Sequence, residues 1–94
     1  MPPSLPVTQA KYTRAEMRDW LIAYLAELLG LARHEIDTKK SFEVYGLESS
    51  GAVGFSGDLE DVLQTTFDTT LAYDFPTIEA LLDHLESRRL LRTA

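Results

Sequence analysis

The chain has 94 residues, 45% hydrophobic and 26% charged, which fits one small folded domain and not a disordered segment. It carries no cysteine, which excludes disulfides, cysteine-ligated zinc and thiol catalysis by its own side chains. Nine Lys and Arg against fifteen Asp and Glu give a net charge of −6, a sign that repels phosphate backbones and argues against nucleic-acid binding.

Residues 1–12 read as a flexible tail: three of the four prolines lie there, without a helical period. The stretch lacks the basic start and apolar core of a secretory signal. No run of about 18 apolar residues occurs anywhere, so no membrane insertion is expected, and a cytoplasmic location is. Thr13-Arg14-Ala15-Glu16 has the capping-box pattern that opens a helix. Met17, Trp20, Leu21, Tyr24, Leu25, Leu28 and Leu29 then form an amphipathic stripe, and Gly30 suits the left-handed stop.

Residues 31–48 lose that period. Leu31, Ile36, Phe42, Val44, Tyr45 and Leu47 are spaced through them, which predicts an ordered crossing loop pinned by apolar side chains, with a short turn near residues 33–37. A second helix is expected over residues 49–63, with Val53, Phe55, Leu59, Val62 and Leu63 as its apolar contacts. Gly51, Gly54 and Gly57 lie inside it, each costing about 0.8–1 kcal/mol relative to Ala in a helix interior. Their step of three either opens one face to a close approach or is simply tolerated in a weak helix.

Residues 65–70 are polar and β-branched and read as a connection. A short helical turn is expected over residues 71–75, ended by Pro76. Thr77 then caps a last helix carrying Ile78, Leu81, Leu82, Leu85 and Leu90, with Arg88, Arg89 and Arg92 at the end that favours positive charge. The predicted fold is all-α: a small bundle of three main helices plus one short helix, with the domain spanning residues 13–91 and a tail at 92–94.

Between Ser41 and Ser87 there is no Lys or Arg, whereas Glu43, Glu48, Asp58, Glu60, Asp61, Asp68, Asp74, Glu79, Asp83 and Glu86 fall there. Such a field attracts a basic protein surface, or it keeps a small protein in solution. No glycine-rich phosphate loop occurs. His34 and His84 fall short of a triad or a metal signature, and His84 beside Asp83 reads as a surface helix residue. The informative segment is Tyr45-Gly46-Leu47-Glu48-Ser49-Ser50: a glycine, an apolar anchor, an acid and a serine at the mouth of a helix. That serine either caps free backbone donors or is a modification site, since an anion carried on it would meet the positive end of the helix.

Phe42-Glu43-Val44-Tyr45-Gly46-Leu47-Glu48-Ser49, followed by Ala52-Val53 and Leu59-Glu60, resembles the acyl carrier proteins and polyketide-synthase carrier domains. Asp74-Phe75-Pro76-Thr77-Ile78-Glu79-Ala80-Leu81 is similar to the segment that opens that family's last helix. The resemblance covers residues 13–91, with the two motifs in the family's order. It implies a 4′-phosphopantetheine arm, taken from coenzyme A and attached to Ser49, whose thiol carries acyl groups as thioesters. Two positions depart from the pattern: Glu48 stands for the usual Asp, and Ser50 for the usual large apolar residue. The choice of Ser49 over Ser50 rests on register with Gly46-Leu47-Glu48, and Ser56 lies outside that register.

A finer resemblance, over Gly51-Ala52-Val53-Gly54-Phe55-Ser56-Gly57-Asp58-Leu59-Glu60-Asp61 and Leu71-Ala72-Tyr73-Asp74-Phe75-Pro76, is to carriers paired with fatty acyl-AMP ligases. The expectation is a free-standing, monomeric, non-catalytic carrier in polyketide or lipopeptide assembly. Its expected partners are a phosphopantetheinyl transferase, a fatty acyl-AMP ligase or other loading enzyme, and a ketosynthase or other downstream enzyme. Glu48, Gly54, Gly57, Asp58, Glu60 and Asp61 are the candidate contacts, and no metal site is expected. The alternatives are a peptidyl carrier of nonribosomal synthesis and an unmodified acidic helical adaptor.

Overall fold

The structure, a computed structural model, describes residues 10–92. Most of the predicted tail at 1–12, and residues 93 and 94 at the other end, lie outside the described residues. Four helices follow in order: α1 Arg14–Leu29, α2 Ser49–Leu63, α3 Leu71–Asp74 and α4 Ile78–Ser87. Among the described residues there is no strand beyond two isolated bridges.

Helix α1 begins where its capping box stands: Thr13 Oγ1 accepts from the Glu16 amide, and Glu16 Oε1 accepts from the Thr13 amide at 2.9 Å. It ends at Gly30, whose φ of 70° is the left-handed stop predicted for it. Met17, Leu21, Leu25 and Ala26 are its buried residues, while Trp20, Tyr24 and Leu29 are partly buried and Leu28 lies outside the core. The predicted stripe is therefore rotated slightly toward Ala26.

The crossing segment holds two 3-10 turns, Arg33–Glu35 as predicted and Phe42–Tyr45, which was not. Ile36, Phe42 and Leu47 reach the core, but Val44 is 67% exposed and pins nothing. Helix α2 spans the expected residues but packs through Ala52, Phe55, Ser56 and Leu59, a spacing of three and four. Val53 lies off that face and is 49% exposed, against its predicted core role. Ser56 takes a buried place because its Oγ donates to the Val53 carbonyl at 2.8 Å, which removes the cost of burying a hydroxyl. Phe55 is fully buried and its ring touches both Tyr24 of α1 and Phe42 of the loop.

Neither Gly54 nor Gly57 has an atom within 4 Å of where a Cβ would stand. Gly54→Ala and Gly57→Ala should therefore each stabilise the fold by about 0.5–1 kcal/mol, read as a higher denaturation midpoint. In the wild-type protein, amide exchange should be faster along α2 than along α1.

The connection before α3 is less polar than predicted. Phe67 packs against the core, its amide donates to Glu60 Oε2 at 2.7 Å, and the Arg88 guanidinium lies over its ring. Helix α4 buries Ile78, Leu81, Leu82 and Leu85 and closes at Ser87. Leu90 is thus past the helix, although it still packs on the core beside buried Leu91. At the end of the fold the Arg92 amide donates to the Tyr12 carbonyl at 2.6 Å, and half-buried Tyr12 packs against the core.

Three α4 carboxylates meet one base of α1: Arg14 pairs with Glu79 and Asp83, both at 2.8 Å, and with Glu86 at 2.6 Å. The acidic run of the sequence is thereby divided, its last part being partly offset by Arg14 within the fold. Glu79 also accepts from Thr38 Oγ1, and that bond first, with Arg14 second, holds its carboxyl below the ordinary range. His84 stacks on Phe75 with ring centroids 3.9 Å apart and is half-buried, not the surface residue that the sequence suggests. Burial, with Arg88 nearby, lowers its pKa, and Asp74 opposes that shift.

Both shifts disfavour the folded state in acid. A histidine whose folded pKa lies below 6.5 contributes fully above that pH and loses its contribution as pH falls toward the folded value. A carboxyl held below 4.5 does the same lower down, as pH falls through its folded value. Stability should therefore fall in two stages on acidification, and His84→Gln should flatten only the first, as followed by denaturant midpoints against pH.

Candidate functional site

The approach to α2 is built to turn sharply and then stop. Ser41 Oγ accepts from the Val44 amide at 3.3 Å, capping the Phe42–Tyr45 turn. The Phe42 amide donates to the Pro76 carbonyl at 2.8 Å, which fixes this turn to the junction of α3 and α4. Gly46 then adopts φ 92°, a region that a side chain would strain, and its amide closes the turn on Glu43 O. Leu47 is buried and its amide donates back to the Phe42 carbonyl at 3.2 Å. Across from it, a Cβ on Gly51 would stand 3.1 Å from Leu47 Cδ1, so glycine there lets the anchor seat against α2.

After this anchor the chain enters α2 with Glu48 at the N-cap, in extended conformation and without a side-chain capping bond. Its carbonyl accepts from the Ala52 amide at 2.7 Å, the first backbone bond of the helix. The amides of Ser49, Ser50 and Gly51 precede that bond, so the positive end of α2 keeps its donors for something outside the helix. Ser49 and Ser50 are both exposed. Ser49 Oγ lies 3.4 Å from the Tyr73 hydroxyl of α3. Beside it is a cleft of about 140 Å³, lined by Phe42, Leu47, Ala52, Ala72, Tyr73 and Pro76, with Ser41 and Glu43 at its edge.

The other candidate contacts lie further along α2, about 14–18 Å from Ser49 at 1.5 Å per residue for Asp58 to Asp61. Asp58 accepts from the Tyr24 hydroxyl, and burial, with Asp58 second, raises the Tyr24 pKa. Glu60 holds the Phe67 amide, as described above. Asp61 and Glu48 are exposed. Asp58 and Glu60 thus serve the fold whatever else they meet, and substitutions at them disturb packing as well as surface charge. Sequence reasoning missed Tyr73 and Tyr24. Each meets its partner across more than twenty residues, and nothing local to either announces the contact.

An exposed hydroxyl at an uncapped helix start, held by a glycine turn and a buried leucine, fits a covalently attached phosphodiester: the free amides favour its charge. The family model described as the phosphopantetheine attachment site matches residues 19–85. The chain belongs to that family. Its members carry covalently attached 4′-phosphopantetheine. The carrier domain is 42% identical over 72 residues to the polyketide synthase ThaQ of Burkholderia thailandensis, which covers 77% of this chain and 3% of that protein. The chain thus spans a small fraction of that curated relative.

Solved carrier-protein structures share the fold, including two at 30% identity or more. A free-standing peptidyl carrier protein from Acinetobacter baumannii is 34% identical with a TM-score of 0.75, covering 81% of this chain and 95% of its own. The acyl carrier protein Asl1650 from Anabaena has a variant phosphopantetheinylation-site sequence; it is 30% identical with a TM-score of 0.76, covering 87% of this chain and 96% of its own. The predicted all-α carrier architecture, with three main helices and one short one, is the one observed. No helix among the described residues is long and apolar enough to cross a membrane.

Proposed function

We propose that the carrier domain holds a fatty-acyl or polyketide intermediate for natural-product assembly, on 4′-phosphopantetheine attached through Ser49, and catalyses nothing itself. The observation that carries this reading is the uncapped start of α2, which leaves the Ser49 hydroxyl exposed beside free amides and places it by Gly46 and Leu47. The arm supplies a thiol, which this cysteine-free chain lacks, and thereby a thioester for the cargo. Tethering makes transfer to a docked enzyme effectively intramolecular.

A phosphopantetheinyl transferase would modify Ser49, a loading enzyme would charge the arm, and a ketosynthase or similar enzyme would take the cargo. A fatty acyl-AMP ligase suits the loading step. Gly54 and Gly57 leave the backbone of α2 open to approach, with Asp58 and Asp61 supplying charge beside them. The likeness to the Acinetobacter peptidyl carrier favours a second reading, in which the cargo is an aminoacyl group.

Loading decides between them. The modified protein is offered a free fatty acid with ATP and a fatty acyl-AMP ligase, an amino acid with ATP and an adenylation enzyme, or malonyl-CoA with an acyltransferase. Intact mass then reports which group is gained. Fatty-acyl charging supports the first reading and aminoacyl charging the second. Charging from malonyl-CoA alone removes the ligase and keeps the carrier.

A further inference from the structure

The hydroxyl pair at the mouth of the cleft joins two elements far apart in sequence: Ser49 opens α2 and Tyr73 lies in α3, with their oxygens 3.4 Å apart. Either oxygen is placed to donate. A phenolic O–H is the stronger donor, and when it donates, the serine keeps its own proton for a base of a docked enzyme. At 3.4 Å the contact is long for two hydroxyls, whose usual separation is about 2.7–2.8 Å. A charged acceptor shortens and strengthens such a bond.

The surroundings make this neutral donor matter. No Lys or Arg lies between Ser41 and Ser87, and the cleft lining beside Ser49 contains no base. Glu43 and Glu48 add negative charge on the same approach. An anion on Ser49 therefore meets backbone amides, the helix dipole and the Tyr73 hydroxyl, without a cationic side chain from this segment. The base of Tyr73 is firmly set, because Leu71 and Ala72 are buried and the Tyr73 amide donates to the Thr70 carbonyl at 2.9 Å. Its side chain is outside the core at 55% exposure, and its oxygen has no other partner among the described residues. Nothing in the packing requires tyrosine over phenylalanine there.

We propose that Tyr73 is a positioning residue for Ser49, donating to its Oγ in the unmodified chain and to a phosphodiester oxygen once the serine is modified. The proposal rests on Ser49 being the attachment residue. In the modification step, Ser49 Oγ attacks the pantetheine-bearing phosphorus of coenzyme A and one O–P bond forms. The bond from that phosphorus to the bridging oxygen breaks, adenosine 3′,5′-bisphosphate leaves with the electron pair, and the serine proton passes to a base of the transferase. Tyr73 keeps its proton throughout, and nothing is oxidised or reduced.

Tyr73→Phe removes only the oxygen, so docking area and fold persist. With coenzyme A and a broad-range phosphopantetheinyl transferase, kcat should fall about three- to tenfold, the loss of one hydrogen bond, while KM changes less than about twofold. Once driven to completion, modified Tyr73→Phe should show a displaced ³¹P resonance relative to modified wild type. In the wild type, the Tyr73 ring ¹³Cζ signal should move on modification, a readout that needs no variant. An unchanged kcat in Tyr73→Phe, or an unmoved ³¹P resonance, overturns the role of Tyr73 and leaves Ser49 standing. Mass gain by Ser49→Ala overturns the attachment residue itself, and this proposal with it.

Discussion

Ser49→Ala should abolish the mass gained from coenzyme A and a phosphopantetheinyl transferase, whereas Ser50→Ala should keep it. Both serines are exposed on the first turn of α2, so accessibility does not separate them. Direction does: successive residues of a helix point about 100° apart, and it is Ser49 whose hydroxyl meets that of Tyr73. Ser49 also follows directly on the Leu47–Glu48 stop, where the backbone is held on both sides, by the Phe42 carbonyl and by the first bond of α2. The expected change is all-or-none, because alanine offers no oxygen to form the phosphodiester. Full modification of Ser49→Ala would move the attachment to its neighbour.

Phe55→Ala should have the largest effect on stability, about 3–5 kcal/mol, measured as the loss of denaturation midpoint. A chain of 94 residues holds only about 5–14 kcal/mol in total, so the variant should lose a large share of its stability. The side chain is fully buried and its ring meets Tyr24 at 5.6 Å and Phe42 at 5.4 Å. One residue therefore packs α2 against both α1 and the loop that leads to Ser49. Loss of modification in this variant would accompany loss of fold, whereas Ser49→Ala should retain the wild-type midpoint. Comparing the two separates chemistry from packing.

Helix ends were the most legible part of the fold, since each signal is local. Thr13 with Glu16, Gly30 and Thr77 act on backbone groups within a few residues, and they act as the sequence implies. Helix α2 formed despite its glycines because Ala52, Phe55 and Leu59 bury one face, which outweighs intrinsic propensity. The Phe42–Tyr45 turn was not legible. Ser41 and Gly46 cap it locally, but nothing local announces its tie to the Pro76 carbonyl, a contact across more than thirty residues. Arg14 with its three distant carboxylates was equally hidden, as was the stacking of His84 on Phe75 nine residues away, which no periodicity encodes.

For the site, the residues alone left two meanings for the serine, a cap or a modified group. The structure gives the helix no side-chain cap. The register that prefers Ser49 came from the resemblance to carrier proteins. Composition located the acids correctly, but it could not tell that Asp58 is engaged by Tyr24 or Glu60 by the Phe67 amide.

The pairing of Thr13 with Arg92 brings the two ends of the described fold to one place, running in parallel. Because the pairing is parallel, the chain enters and leaves at this one place in the same direction, so the two leads point opposite ways from a single spot on the bundle. A neighbour joined to either end would therefore be attached at this one place, and the bundle would turn about it. The sweep of Ser49 is then set by the length and stiffness of the leads, since a linker's composition fixes its reach. Stiff leads would confine the serine to an arc, and glycine-rich ones would open that arc into a volume.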